Sequence, residues 1–357
     1  MDQNEGPPVY FVDDHQEDDS DMESIYTKTS ELTEHTMSTL TSDLVTEYFQ
    51  VVDGRIFPAD RNVPFILPAD YRECQRLEVQ HMALKLLLGA NYFGPVKEVL
   101  AEAPNRSRKR VLDLFTAEGT WVREMASEFP HVDFVSVDTV PFVPHVRRAN
   151  ILSYEVYDLY NGIAEGDETF DVVHLRYAML KIKDLAELIL EVHRVLRPGG
   201  LFLYCEFENE EYDASVENHD ASGTAPCLVR AMRISLEELD RQGVYAYAYK
   251  DVPTLLDPTC ALWRNKEEPR GFTNVTTEAK ICPAGPWPVI PHLREVGLIV
   301  QSACCDLWRN LRSMFLTYGM SEAETDELID GIVVELSSPG TRQLYNKYHV
   351  LYAFKHS

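Results

Sequence analysis

Two acidic residues lie where the strands of a parallel sheet would bring them to the same edge. Asp113 is in the apolar run VLDLF, and Asp138 ends the run VDFVSVD, 25 residues further on. A carboxylate at the end of the second strand of such a sheet can accept hydrogen bonds from the hydroxyl groups of a ribose. The spacing therefore predicts a binding site for a ligand that contains adenosine.

The loop that follows Asp113 departs from a dinucleotide-binding loop, which carries three glycines. It reads FTAEG, so Gly119 stands alone, and Phe115 and Ala117 have side chains. Glu118 adds negative charge where the phosphates of NAD or FAD would lie, which disfavours an NAD-dependent oxidoreductase. S-adenosyl-L-methionine has no phosphates. Its ammonium and sulfonium groups are cationic, so nearby carboxylates favour it.

From 110 to 206 the sequence alternates between short apolar runs and amphipathic runs. The predicted strands are RVLDLF, VDFVSVD, NILSYEVYDLY, FDVVHLRYAML and LFLYCEFE, and the predicted helices are TWVREMASEF and DLAELILEVHRVL. This alternation predicts a Rossmann-like α/β fold, a doubly wound and mostly parallel sheet with helices on both faces. Two more strands, GLIVQSACCDLW and YHVLYAFK, would make the sheet seven-stranded. Cys304 and Cys305 would then lie in a strand.

Changes in composition divide the chain into five parts. Residues 1–43 hold twelve Asp or Glu and one basic residue, Lys28, and they are predicted to form a disordered acidic arm. The other parts are an N-terminal helical segment packed on the core (44–105), the cofactor-binding core (106–206), a substrate cap inserted after the fifth strand (207–297), and the C-terminal strands and helix that complete the sheet (298–357).

The net charge of −25 and the pI of about 4.8 disfavour several classes of partner. Phosphate backbones and anionic membranes attract basic proteins, so we expect binding to neither nucleic acid nor membrane surfaces. No run of 18 apolar residues predicts a membrane span. The seven scattered cysteines form no CxxC pair, which favours reduced thiols and predicts no metal site. We expect the protein to be located in the cytoplasm, with the nucleus as the alternative location.

Several longer stretches resemble one enzyme family. They are FPADRNVPFILPADYRECQRLEVQH, LGANYFGPVKEVL, VLDLFTAEGTWVREMASEFPHVDFVSVD, YEVYDLYNGIAEGDETFDVVHLRYAMLKIKD and VLRPGGLFLYCEFE. Through them, residues 44–355 resemble a fungal class I S-adenosyl-L-methionine-dependent methyltransferase of the LaeA-like kind found in basidiomycete secondary metabolism. The resemblance implies S-adenosyl-L-methionine as the cofactor and S-adenosyl-L-homocysteine as the product.

The resemblance also implies roles for residues in the cofactor site. The methionine part of the cofactor would be held by Asp113, Phe115, Ala117 and Gly119, and Tyr92 would close over the cofactor. The ribose hydroxyls would bind to Asp138. The adenine would be flanked by Thr139 and Val140, and its amino group would contact Asp158.

Methyl transfer from a sulfonium is an in-line displacement with a neutral leaving group, so the protein mainly aligns the reactants and excludes water. A general base is needed when the nucleophile is a hydroxyl. The resemblance places His174 and Arg176 at the end of the fourth strand, facing the methyl group. His174 is the first candidate for the base, and Glu206, after the fifth strand, is the second.

The loop decides between two functions. Members of the family usually read D-x-(C or G)-T-G-T-G where this chain reads DLFTAEG. Alanine is tolerated at a glycine position if φ is negative and is costly if φ is positive. An inward Phe115 ring would occupy the space of the methionine.

The first hypothesis is a methyltransferase that acts on a small molecule in a biosynthetic pathway, with O-methylation preferred. The second is a catalytically degenerate methyltransferase-like protein with a regulatory or scaffolding role that works through a partner. A protein partner or a homodimer stays open under either hypothesis.

Overall fold

The computed structural model describes residues 46–102, 107–142, 148–264, 266, 270–338 and 342–357. The predicted acidic arm, residues 1–43, lies outside the described residues. The first strands form a short antiparallel hairpin of β1 (Phe49–Val52) and β2 (Arg55–Pro58).

A mixed sheet organises the rest of the chain. Its strands are β3 (Arg110–Leu114), β4 (Asp133–Asp138), β5 (Ile151–Val156), β6 (Phe170–Arg176), β7 (Leu196–Phe207), β8 (Tyr212–Asp213), β9 (Phe272–Pro283) and β10 (Leu344–Lys355). Five strands are parallel in the order β5-β4-β3-β6-β7, and β10 runs antiparallel to both β7 and β9. With seven long strands and the two-residue β8, this sheet confirms the predicted doubly wound Rossmann-like fold.

The strand order creates a crevice at one edge of the sheet. The chain passes outward from β3 through β4 to β5 and then returns to β6, on the other side of β3. Helices cover both faces, so the parallel strands are almost wholly buried and read as continuous apolar runs. Ligands of open α/β sheets bind at such a reversal, outside the carboxyl ends of the strands.

The helices follow in the same chain order. They are α1 (Tyr71–Leu88), α2 (Val96–Val99), α3 (Thr120–Glu128), α4 (Leu185–Val195), α5 (Pro226–Arg241), α6 (Ala248–Leu256), α7 (Pro291–Asn310), α8 (Arg312–Tyr318) and α9 (Glu322–Ser337). α1 lies in the N-terminal segment, residues 44–105, that the sequence predicts to be helical. The Asp70 carboxylate accepts hydrogen bonds from the N–H groups of Arg72 and Glu73 at its start, and Gly89, with φ of 74°, ends it.

Five helices form a layer over the carboxyl ends of the central strands. One apolar core is shared by α1, α5, α7, α8 and α9. It also contacts Tyr177, which directly follows β6, and Phe207, the last residue of β7. This helical layer covers the crevice on the side opposite the sheet. Within the described ranges, no helix combines the length and the apolar character needed to cross a bilayer.

The predicted strand at GLIVQSACCDLW was wrong, because these residues belong to α7. Pro291 occupies the first turn, where proline is favoured, and buried residues such as Val296 and Val300 recur at helical spacing. Cys304 and Cys305 therefore lie in a helix. The remaining long strand is β9, within the residues predicted as the cap. The division of the chain into domains stays a prediction.

Candidate active site

A cavity of about 250 Å³ lies between the carboxyl ends of the central strands and the helical layer. Its wall on the sheet side includes Asp113, Phe115, Thr116, Ala117, Glu118, Thr139, Val140, His174, Arg176, Lys181 and Glu206. These residues come from β3, β6 and β7 and from the loops that follow β3, β4 and β6. The cavity therefore occupies the crevice where the sequence predicts a ligand.

The loop after β3 has three residues with positive φ, of which only Gly119 is a glycine. Phe115 and Ala117 have φ of 54° and 51°, and Gly119 has φ of 73°. The left-handed region costs an L-residue about 1–2 kcal/mol, and glycine adopts it freely. The surroundings stabilise this shape: the Ala117 N–H donates to Asp138 at 2.8 Å, and the Phe115 ring is buried. The loop therefore holds two non-glycine residues in the strained left-handed conformation that glycine favours.

Ala117→Gly is expected to raise the free energy of unfolding by about 0.5–1 kcal/mol. Glycine adopts the required φ without strain, and this gain exceeds the added entropy of the unfolded chain. Urea denaturation measures the change. The control is Ala126→Gly within α3, which is expected to lower the stability by about 1 kcal/mol. A loss of stability in Ala117→Gly would show that the loop is unstrained.

Asp113 and His174 form a buried pair at the ends of β3 and β6. His174 Nδ1 lies 2.7 Å from Asp113 Oδ1, and Thr116 Oγ1 donates to Asp113 Oδ2 at 2.7 Å. The indole of Trp121 stacks on the imidazole, with the ring centroids 3.6 Å apart and the planes 10° apart. Both oxygens of Asp113 are therefore engaged within the protein, and the plane of the His174 ring is fixed.

Burial lowers the pKa of His174, although the neighbouring Asp113 carboxylate opposes this effect. The imidazole is therefore neutral at physiological pH. Because a carboxylate only accepts hydrogen bonds, the ring proton is on Nδ1, and Nε2 keeps its lone pair. A histidine with a lowered pKa is a weak base, which reduces its fitness for taking a proton from an acceptor.

Asp138, at the end of β4, has a crowded carboxylate. It accepts hydrogen bonds from the N–H groups of Ala117 at 2.8 Å and Thr139 at 2.7 Å, and from Thr139 Oγ1 at 3.3 Å. Lys181 Nζ donates to both of its oxygens at 3.1 Å. Asp138 lies just behind the cavity wall, and all three of these partners line the wall.

Glu118 and Arg176 bring opposite charges to the same wall. Burial raises the pKa of Glu118, and the charge of Arg176 opposes the rise. The Arg176 guanidinium donates to His81 Nδ1 from two nitrogens, each at 3.1 Å. Burial, aided by this guanidinium, lowers the pKa of His81 to about 4, so His81 is a neutral acceptor. Together, Glu118 and Arg176 can meet the ammonium and the carboxylate of an amino-acid group.

Two carboxyl groups line the cavity beside the end of β7. Glu206 accepts hydrogen bonds from the N–H groups of Met179 at 2.8 Å and Phe207 at 3.0 Å, and burial raises its pKa to about 8. Burial also raises the pKa of Glu211 to about 8, and Asn346 donates to it. A carboxyl group with a pKa close to the ambient pH can take up and return a proton.

The wall formed by the helical layer is mostly apolar. Its apolar residues include Leu77 and Leu84 of α1, Leu228, Met232, Leu236 and Leu239 of α5, Val300, Leu307 and Trp308 of α7, and Leu311. This wall can bury an apolar ligand beside Glu206. It has the composition of a small-molecule site, with apolar surface and a few polar groups.

Besides Asp138, three of the predicted site residues lie outside the cavity wall. The Tyr92 hydroxyl donates to Glu128 at 2.8 Å, so its direction does not support closure over a cofactor. Gly119 precedes the first turn of α3. The Asp158 carboxylate accepts a hydrogen bond from the Asn62 side chain at 2.9 Å. The cofactor roles of these residues stay predictions.

Sequence reasoning missed several residues of this site. Trp121 could have been found, because it lies in the first turn after Gly119, where a helix meets a ligand. Lys181 and Phe142 carry no such signal, since they belong to irregular segments. Arg76 and Glu73, which pair through two hydrogen bonds at 2.9 and 2.6 Å, reach the cavity from α1.

Comparisons with known proteins find similarity to methyltransferases. A family model described as a methyltransferase domain matches residues 89–241. The secondary metabolism regulator laeA of Coprinopsis cinerea is 30% identical over 297 residues, which cover 81% of this chain and 70% of that protein. The protein-methionine methyltransferase laeA of Emericella nidulans is 26% identical over 263 residues, covering 74% of this chain. The chain spans only 64% of that relative's length.

Solved structures give a more distant likeness. Phosphoethanolamine N-methyltransferase 2 of Haemonchus contortus, in complex with S-adenosyl-L-methionine, is 18% identical to this chain, with a TM-score of 0.42. The match covers 79% of this chain and 57% of that chain.

Proposed function

This chain belongs to the LaeA family of S-adenosyl-L-methionine-dependent methyltransferases, and we propose that its cavity binds the cofactor and an apolar small molecule that is methylated on a hydroxyl group. The observation that carries the proposal is the continuity of the cavity. One space joins the loop after β3 to Glu206 and the apolar wall. Cofactor and acceptor can therefore meet inside it.

The sheet-side wall fits a cofactor that has adenosine and an amino-acid group but no phosphate. Asp138 lies at the strand end where a carboxylate binds ribose, and Thr139 and Val140 follow it along the wall. Glu118 would repel phosphate and suits an ammonium group. When bound, S-adenosyl-L-methionine supplies a methyl group on an activated sulfonium.

The protein's own part is to orient the acceptor, exclude water and remove its proton. The apolar wall excludes water and holds an apolar acceptor beside the carboxyl of Glu206. We assign the general base to Glu206, because a carboxyl with a pKa of about 8 balances proton affinity against ionisation near neutral pH. This reverses the order expected from the sequence: His174 becomes the second candidate, since its lowered pKa makes it the weaker base.

Glu206→Gln is expected to lower kcat/KM for a hydroxyl acceptor about 10²–10³-fold, because an amide cannot accept the proton. The wild-type rate should rise with pH through about 8, as Glu206 ionises, and the variant should lose this rise. Transfer of a radioactive methyl group to a series of 4-alkylphenols measures both. Glu210→Gln is the control, since Glu210 pairs with Lys250 in a solvent-exposed ion pair. Equal pH profiles for wild type and Glu206→Gln would contradict the assignment.

A methionine side chain is a second candidate acceptor. One relative is named a protein-methionine methyltransferase, and the apolar wall would suit a thioether. A thioether has no proton to lose, so its methylation needs no base. This candidate would be favoured by two results together. Methyl transfer to a methionine-containing peptide would proceed at the same rate in the wild type and in Glu206→Gln, and no methyl group would be transferred to the phenols.

Cofactor binding is the first requirement of the proposal. Isothermal titration with S-adenosyl-L-methionine and S-adenosyl-L-homocysteine is expected to give dissociation constants in the micromolar range. This range corresponds to a binding free energy of about −8 kcal/mol. If millimolar ligand gives neither heat of binding nor a shift in the melting temperature, the proposal that the protein is an active methyltransferase is contradicted. The regulatory or scaffolding role would then be favoured.

A further inference from the structure

Lys181 lies across the crevice in which the cofactor would bind. It belongs to the turn between β6 and α4, where its N–H donates to the carbonyl of Ala178 at 2.8 Å. Its Nζ donates to both oxygens of Asp138, at the end of β4. Because β3 lies between β6 and β4, the side chain spans the reversal point of the strand order.

Two aromatic rings stabilise the ammonium group in this position. Nζ lies 5.2 Å from the centroid of the Phe115 ring and 5.0 Å from that of Phe142. A cation within about 6 Å of a ring centroid is stabilised by cation–π attraction. Members of the family usually have cysteine or glycine at the position of Phe115, and neither of these residues has a ring. The side chain that strains the loop therefore also binds Lys181.

Asp138 has no hydrogen-bonding capacity left while Lys181 is bound. A carboxylate offers about four lone-pair sites. Ala117, Thr139 and Lys181 together donate five hydrogen bonds to it. The hydroxyls of a ribose would need the same two oxygens. The two N–H donors are fixed by the backbone, whereas the bonds from Lys181 and the weaker bond from the Thr139 hydroxyl, at 3.3 Å, can be released by side-chain rotation.

We propose that Lys181 is an internal competitor of the cofactor's ribose. It occupies Asp138 in the free protein and must leave this carboxylate before the ribose hydroxyls bind. The inference rests on the proposed function, because it assumes that Asp138 is the ribose site. The apparent affinity for the cofactor is reduced by the fraction of molecules in which Lys181 still occupies Asp138.

Lys181→Met tests the competition, because methionine keeps much of the length and loses the charge. The variant is expected to bind S-adenosyl-L-homocysteine about five- to tenfold more tightly than the wild type, measured by isothermal titration; tenfold corresponds to about 1.4 kcal/mol. Lys280→Met is the matched control. Lys280 also pairs with a carboxylate, Glu278 at 2.6 Å, and lies 5.9 Å from the ring centroid of Phe93, but on β9. It should bind like the wild type.

Simple ligands separate competition from a general effect of charge. Adenosine is neutral and has both ribose hydroxyls, whereas 2′,3′-dideoxyadenosine has neither. Ligand-detected NMR titration should show that Lys181→Met binds adenosine more tightly than the wild type does. The two proteins should bind the dideoxy compound with equal affinity. An equal gain for both nucleosides would overturn the proposal, because the hydroxyls would then be irrelevant.

The outcomes also separate this inference from the proposed function. Unchanged or weaker binding of S-adenosyl-L-homocysteine by Lys181→Met, with a wild type that binds, would overturn the competition and leave the enzyme standing. Weaker binding would instead make Lys181 a ligand contact. Absence of binding by both proteins would overturn the proposed function and this inference with it.

Discussion

Asp138→Ala is expected to weaken the binding of S-adenosyl-L-methionine at least about a hundredfold. A hydrogen bond to a charged group contributes about 1.5–3 kcal/mol, and the ribose would lose two such bonds. The Ala117 N–H would also lose its acceptor, so the strained loop would lose a contact that stabilises its shape. Isothermal titration of wild type and variant measures the change.

The control for this prediction comes from the same strand. Asp133 begins β4 at the opposite edge of the sheet and pairs with Arg108 at 2.6 Å. Asp133→Ala should therefore bind the cofactor like the wild type. Micromolar binding by Asp138→Ala would mean that the ribose is recognised by other residues, and the assignment of the cofactor site would have to be revised.

Trp121→Ala is expected to lower the free energy of unfolding by about 3–5 kcal/mol, as for other buried aromatic residues cut to alanine. Trp121 is 2% exposed, and its Nε1–H donates to the carbonyl of Asn91 at 2.7 Å. Its loss would also remove the surface on which His174 stacks. Urea denaturation gives the stability, and titration with S-adenosyl-L-homocysteine gives the effect on the site.

Trp121→Phe separates the two contributions of this side chain. Phenylalanine retains a ring against His174 and loses the hydrogen bond to Asn91, so it should lower the stability by only about 1 kcal/mol. A destabilisation as large as that of alanine would show that the hydrogen bond, and not the packing of the ring, dominates.

Residues tied to regular elements were predictable from the sequence. The ends of parallel strands meet at one edge, so Asp113, Asp138 and Glu206 could be placed together by locating the strands. The strands themselves are short apolar runs between turn residues, which is a strong local signal. The same logic failed at α7, where an apolar run with β-branched residues resembled a strand. The proline at its start was the better guide.

The conformation of the loop after β3 could not be predicted, because its residues argue against it. Local preference disfavours a positive φ at Phe115 and Ala117, and contacts from distant segments override that preference. Lys181 is a similar case. Its position over Asp138 depends on a side chain that reaches past a neighbouring strand, and no periodicity encodes such a reach.

The place of β10 has a consequence for how the protein is made. This strand lies between β7 and β9, yet the ribosome synthesises it after both. Until it emerges, each of its neighbours has an edge of unpaired N–H and C=O groups, which favours association with other chains. The nascent protein thus has an interval in which its sheet is open, and interruption of translation before 344 leaves β7 with an unpaired edge and β9 without a partner strand.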